Sequence, residues 1–196
     1  MRSFEEEQAL ITRLFTTRVV PWATLIGVAA LAHAQALAPP EVPEVIKALA
    51  GENVVLRAHA TGVQIYVCGR AADGKSQWTL KVPEAELRDD QGALIGHHAA
   101  GPSWRHNDGS EVTGKAVARS ESPDADSIPW LLVSATGHAG RGVLARVTSI
   151  QRINTLGGQP PPAATCDPVK HKGKEARVPY RADYYFYAPA GNTPRN

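Results

Sequence analysis

The sequence predicts an all-β fold, an antiparallel sandwich or barrel of about eight or nine short strands with one short N-terminal helix. Three observations carry this. Short segments alternate apolar and polar residues with a period of two. Turn-forming residues separate them at intervals of roughly 8 to 12 residues. Long helical periodicity is absent, and so is the strand–helix alternation of a wound α/β sheet.

Along the chain, Arg13 and Arg18 precede an apolar run from Val19 to Ala32 that ends in Ala32-His33-Ala34, the pattern of a secretory leader cut before Gln35. The run contains Pro21 and is shorter than the ~20 apolar residues needed to span a bilayer, which argues against a permanent membrane span. The expected organisation is a leader over residues 1–34, an arm and short helix over 35–52, a single β-domain over 53–188 and a tail over 189–196. Periplasmic or secreted localisation follows from the leader.

Removing residues 1–34 takes away three Arg and three Glu, so the remaining chain keeps the formal net charge of +2. That small excess is no nucleic-acid footprint. About 160 residues suffice for one hydrophobic core. The Ala/Pro-rich stretch Ala36 to Pro43 reads as an arm, and Val42-Pro43-Glu44-Val45-Ile46 opens a helix through Ala50.

From there the period is two. Asn53 to Ala60 forms a first strand, turned at Thr61-Gly62 into a second in which Val63, Ile65 and Val67 share the face opposite Gln64, Tyr66 and Cys68. Further strands are expected at Gln77 to Val82, Ala93 to His98, Trp104 to Asn107, Glu111 to Arg119, Trp130 to Thr136, Val143 to Ile153 and Tyr180 to Tyr187. Asp73-Gly74, Asp90-Gln91-Gly92, Asn107-Asp108-Gly109 and Gly157-Gly158 supply hairpin turns, Asn107-Asp108-Gly109 being the strongest. Thr155 to Thr165, with three consecutive prolines, is a surface loop leading to Cys166.

The chain holds two cysteines, Cys68 and Cys166. In an oxidising compartment an even count flanked by turn formers reads as a disulfide. The alternatives are two buried free thiols or a metal site.

Candidate functional residues concentrate between Gly96 and Asp108, which gathers His97, His98, Trp104, His106 and Asp108. His97 and His98 face opposite sides of a strand, so only one of them joins a given cluster. A hairpin that convened His98, His106 and Asp108 would offer nitrogen and carboxylate ligands suited to zinc or copper, or a His and Asp pair for acid–base work. Trp104, Tyr185 and Tyr187 extend this set as aromatic surface for a ligand, against the competing reading of aromatic core. On the last strand Tyr185 and Tyr187 share one face, Tyr184 and Phe186 the other. Gly137 to Gly142 lacks the order of a dinucleotide fingerprint, and neither Ser103 nor Ser134 sits in a nucleophile elbow.

Several motifs, in order, resemble one family: Gly62 to Cys68, Trp78, Pro83 to Leu87, His98 to Trp104 with Asp108-Gly109-Ser110, Ile128 to Leu132, Ile150 to Arg152 with Thr155 and Gly157-Gly158, and Tyr180 to Tyr187. The chain is similar to the DUF 3455 family, found in secreted bacterial and fungal proteins, over roughly Pro43 to Ala188. The resemblance implies export and a shared motif set around Cys68 and the His98 to Trp104 segment, but no activity. The malate dehydrogenase label that members sometimes carry has no support here, for want of any Rossmann pattern.

The expectation is therefore an exported β-domain that binds a small molecule, glycan or envelope partner without turning it over and without a cofactor. Two alternatives stand beside it: a metal-binding protein or metal-dependent enzyme using the His/Asp cluster, and a structural envelope protein.

Overall fold

The structure is a computed structural model that describes residues 37–171 and 173–191. The expected leader, the start of the arm and the end of the tail lie outside the described residues. Among those residues eight antiparallel strands close into a barrel in simple chain order. They are β1 (Glu52–Arg70), β2 (Ser76–Arg88), β3 (Leu94–Ala99), β4 (Ser103–His106), β5 (Glu111–Ser120), β6 (Trp130–Ala139), β7 (Ser149–Gly157) and β8 (Glu175–Pro189). Pairing of β8 with β1 completes the cylinder and removes the open edges that a sandwich would leave. Among the described residues no helix is long and apolar enough to cross a membrane.

An eight-stranded barrel is just wide enough for side chains to fill. Here the filling follows the alternation of β8. Tyr180, Ala182, Tyr184 and Phe186 point inward, and the register sets them beside Gly62, Ala60, Ala58 and Leu56 of β1. The rings of Tyr180 and Tyr184 thus meet the small Gly62 and Ala58 on the neighbouring strand, and Trp104, Val112, Val133 and Ile150 complete the interior.

The other face of β8 is outside, but it is not bare. Tyr185 and Tyr187 pack with Val54, Leu132 and Ile153 beneath the N-terminal arm, whose Ile46 is wholly buried. Gln151 ties the arm down by donating from Nε2 to the Ile46 carbonyl at 2.7 Å. The arm holds a single 3-10 turn, Glu44–Ile46, rather than a helix reaching Ala50. Its peptide groups are fixed by docking on the barrel instead of by a helical ladder.

Three expected elements are redrawn. Thr61-Gly62 is no turn: β1 runs unbroken through it, paired on both sides. Gly62 is needed because a Cβ there would sit 2.0 Å from the Glu84 carbonyl oxygen, so it marks a close approach of β2. The strand expected from Val143 begins only at Ser149, since Val143 to Val147 form turns whose Leu144 and Val147 plug the barrel. Gly157-Gly158 ends β7 instead of turning a hairpin, so the surface loop expected from Thr155 begins only after the strand, with Thr155 itself buried and bonded to the Ile128 carbonyl. Strand β2 also continues through Pro83, in a stretch where only β1 is its partner and a missing N–H is tolerated.

The meander places the β1–β2, β3–β4, β5–β6 and β7–β8 connections at one end and the remaining connections at the other. The second end is shut by Leu144 and Val147. At the first end β1, β2 and β8 rise well beyond the short β3 and β4, giving one tall wall. The β7–β8 connection leans on that wall: Tyr66 donates to the Gly158 carbonyl at 2.5 Å, Trp78 Nε1 donates to Thr165 Oγ1 at 3.0 Å, and Cys166 is bonded to Cys68, with sulfurs 2.00 Å apart. The expected disulfide is thus part of the fold.

Candidate functional site

The open end of the barrel contains a cleft of about 590 Å³. Inner-face residues Gln64 of β1, His98 of β3, Leu131 of β6 and Arg152 of β7 form its floor, and Lys81, Pro83, Pro102 and Lys115 stand around its rim.

His98 is buried at 4% exposure and lies flat on Trp104, its partner across the β3–β4 ladder. Its Nδ1 stands 2.8 Å from the Ser103 carbonyl oxygen, which can only accept, so Nδ1 carries the proton and Nε2 the lone pair. Burial, aided by the positive charge of Arg152 and opposed by the Ser103 bond, lowers its pKa to about 4. The ring is neutral at neutral pH.

Arg152 is the unusual group. It occupies an inner rung between Leu131 and Tyr184, and its charge is felt by His98, Tyr66, Tyr180 and Tyr184. One guanidinium nitrogen donates to the Pro129 carbonyl at 2.8 Å, while Nε is buried without a partner. Among the described residues no carboxylate lies within ion-pairing distance of it. Gln64 Nε2 is also buried and unpartnered, while Trp104 Nε1 and the Tyr180 hydroxyl, without a well-formed bond of their own, face the Tyr184 hydroxyl. Burial pushes the Tyr180 and Tyr184 phenols up, so both stay protonated. A further unpartnered atom, Trp130 Nε1, lies in the outer cluster under the arm. Native interiors satisfy nearly all buried polar groups, so it is Gln64 Nε2 and Arg152 Nε that point to a missing partner at the cleft.

The structure divides the expected site residues between three places. His98 and Trp104 lie together at the mouth. His106 and Asp108 meet at the β4–β5 turn, with Nδ1 and Oδ2 3.1 Å apart. Tyr185 and Tyr187 face outward beneath the arm, Tyr187 donating to Gln151 Oε1 at 2.5 Å. His97 is exposed on the outer face of β3.

The proposed metal triad is therefore not assembled. Among the described residues no three His, Cys, Asp or Glu side chains converge where they could hold a metal ion. His98 and His106 stand two rungs apart, each already committed through Nδ1, to the Ser103 carbonyl and to the Asp108 turn respectively. Asp108 is built into the closed end instead. It accepts from the N–H and hydroxyl of Ser110 at 2.9 and 2.6 Å and from the Val143 N–H at 2.8 Å. Burial pushes its carboxyl up, but these donors and His106 hold it well below the usual carboxylate range. A Cβ on Gly142 would fall 2.2 Å from Asp108 Oδ2, so the loop is shaped around that carboxylate.

Sequence reasoning missed Gln64 and Arg152. Their signal was a polar residue at an inward rung: Arg152 two places after inward Ile150, and Gln64 two places after Gly62. Also missed was an outer-face network in which His59 Nδ1 and Nε2 meet Asp183 Oδ1 at 2.6 Å and Asp90 Oδ1 at 3.1 Å, with Arg57 against Asp90. Burial lowers the His59 pKa, but the two carboxylates outweigh it and the net shift is upward.

A family model described as "Protein of unknown function (DUF3455)" matches residues 49–188. The chain belongs to the DUF3455 family. The matched span of this DUF3455 member begins in the arm and ends in β8, so it contains every strand of the barrel and the floor of the mouth. Comparisons with curated proteins and with solved structures returned no match.

Proposed function

We propose that this chain is an exported barrel that holds a small molecule in its open mouth without turning it over. The observation that carries the reading is the pair of buried, unpartnered donors on residues that line the cleft, Gln64 Nε2 and Arg152 Nε. A polar group buried without a partner costs about 1 to 3 kcal/mol, so a fold that keeps such a pair is suited to a ligand that satisfies it. A concave, largely apolar cleft with a few convergent polar groups is also the usual form of a small-molecule site. Export is supported by the leader pattern in the sequence and by the Cys68–Cys166 bond, since disulfides persist in oxidising compartments.

The test is a thermal-shift screen of the full chain against a small-molecule library, repeated with Ala116→Trp, which fills the mouth. Saturable stabilisation that disappears in the variant is expected. Turnover of any envelope substrate that vanishes on changing His98 would contradict binding without chemistry.

A further inference from the structure

We propose that the molecule held in the mouth is an anion, a carboxylate or other oxyanion group carried on a small apolar body. This deepens the reading of the mouth as a binding site and rests on it. Two of the buried, unpartnered polar atoms belong to residues that line the cleft, Gln64 Nε2 and Arg152 Nε, and both are obligate donors. A ligand that satisfies donors must bring acceptors.

Charge narrows the class. Arg152 brings a half-buried guanidinium to the floor of the mouth, and a charge drawn out of water is favoured when it is paired and hydrogen-bonded. Its protein partners, the Pro129 carbonyl and the Tyr184 hydroxyl, are both neutral, which leaves its charge uncompensated. No Asp or Glu lines the cleft, whereas Lys81 and Lys115 do. Lys81 is engaged by Glu175 at 2.6 Å, so Arg152 and Lys115 supply the uncompensated charge. The planar fork of Arg matches a carboxylate or phosphate in two parallel bonds. Apart from His98 and Thr136 the rest of the lining is apolar, with Leu80, Pro83, Pro102 and Leu131, and favours a hydrocarbon body behind the head group.

Nuclear magnetic resonance titration of the isotope-labelled full chain tests this with benzoate and benzamide, which share a ring and differ in charge. Benzoate is expected to saturate, shift the Gln64 and Arg152 side-chain N–H signals, and bind about tenfold or more tighter than benzamide, the scale of a charge-assisted pair. Arg152→Gln should remove the preference and Arg152→Lys should keep part of it. If Arg152→Gln does not fold, the comparison of the two ligands on the unaltered chain still decides. A mouth that binds neutral compounds but treats benzoate and benzamide alike overturns the anion claim and leaves the binding reading standing. A mouth at which no compound of either kind produces a shift overturns both. Inorganic phosphate that saturates below the benzoate range overturns the apolar body and leaves a free oxyanion.

Discussion

The imidazole of His98 lies flat against the indole of Trp104, with ring centroids 4.6 Å apart and planes 11° apart. Tyr184 meets the His98 ring at 5.2 Å, and Phe186 meets the indole edge-on at 6.2 Å. Two adjacent strands and the closing strand β8 thus share one aromatic cluster beneath the mouth. The cluster holds a neutral histidine whose one N–H bond reaches back to Ser103.

His98 should accordingly titrate far below an ordinary histidine. Its folded pKa of about 4 lies below the unfolded value of about 6.5, so the unfolded chain takes up the proton first. The stability this histidine contributes is complete above about pH 6.5 and is lost as pH falls towards 4. A histidine ring-proton titration by magnetic resonance should show no His98 transition between pH 6 and 8. Replacement by Ala should cost about 2 to 4 kcal/mol in denaturant unfolding, from the lost ring packing and the stranded Ser103 carbonyl.

His59 should behave oppositely in the same titration. Its folded pKa is raised by Asp183 and Asp90, so its contribution is complete below the unfolded pKa near 6.5 and is lost as pH rises through the folded value. His59→Gln should flatten that part of the stability profile. A His59 transition at or below the ordinary histidine pKa would refute the pairing.

Asp108 anchors the closed end. Asp108→Ala removes the acceptor of three hydrogen bonds and should destabilise by about 2 to 3 kcal/mol, while leaving ligand binding at the opposite end intact. With a carboxyl held below its usual range, its contribution is present above about pH 4 and is lost as pH falls through the folded pKa. An equal loss of binding in this variant would place Asp108 in the ligand site after all.

The Cys68–Cys166 bond closes a loop with a sequence separation of 98. On the chain-entropy model its removal by a Cys68→Ser, Cys166→Ser double change should destabilise the barrel by roughly 4 to 5 kcal/mol. Thermal unfolding with and without reductant measures it. An unchanged midpoint would mean that the β7–β8 connection is held by Tyr66 and Trp78 alone.

Much of this fold was legible in the sequence because its signals are local. The Asn107-Asp108-Gly109 turn, the period-two strands and the two faces of β8 are each written within a few residues. The errors arose where a long-range contact decides. Gly62 reads as a turn glycine until the proximity of Glu84 is known, and Val143 to Val147 read as a strand because apolar residues that plug a barrel resemble those that line one. The site suffered in the same way. Histidine density drew attention to His106 and Asp108, which brace a turn. Arg152 and Gln64 look like ordinary surface residues until barrel closure turns their rungs inward.

The most direct test of the central claim is native mass spectrometry of the full chain recovered from the cells that express it. A protein peak carrying a non-covalently held small molecule, released on denaturation and absent from Ala116→Trp, is the predicted result. Bare protein alone from cells, together with no mouth-dependent binding across a broad library, would contradict it.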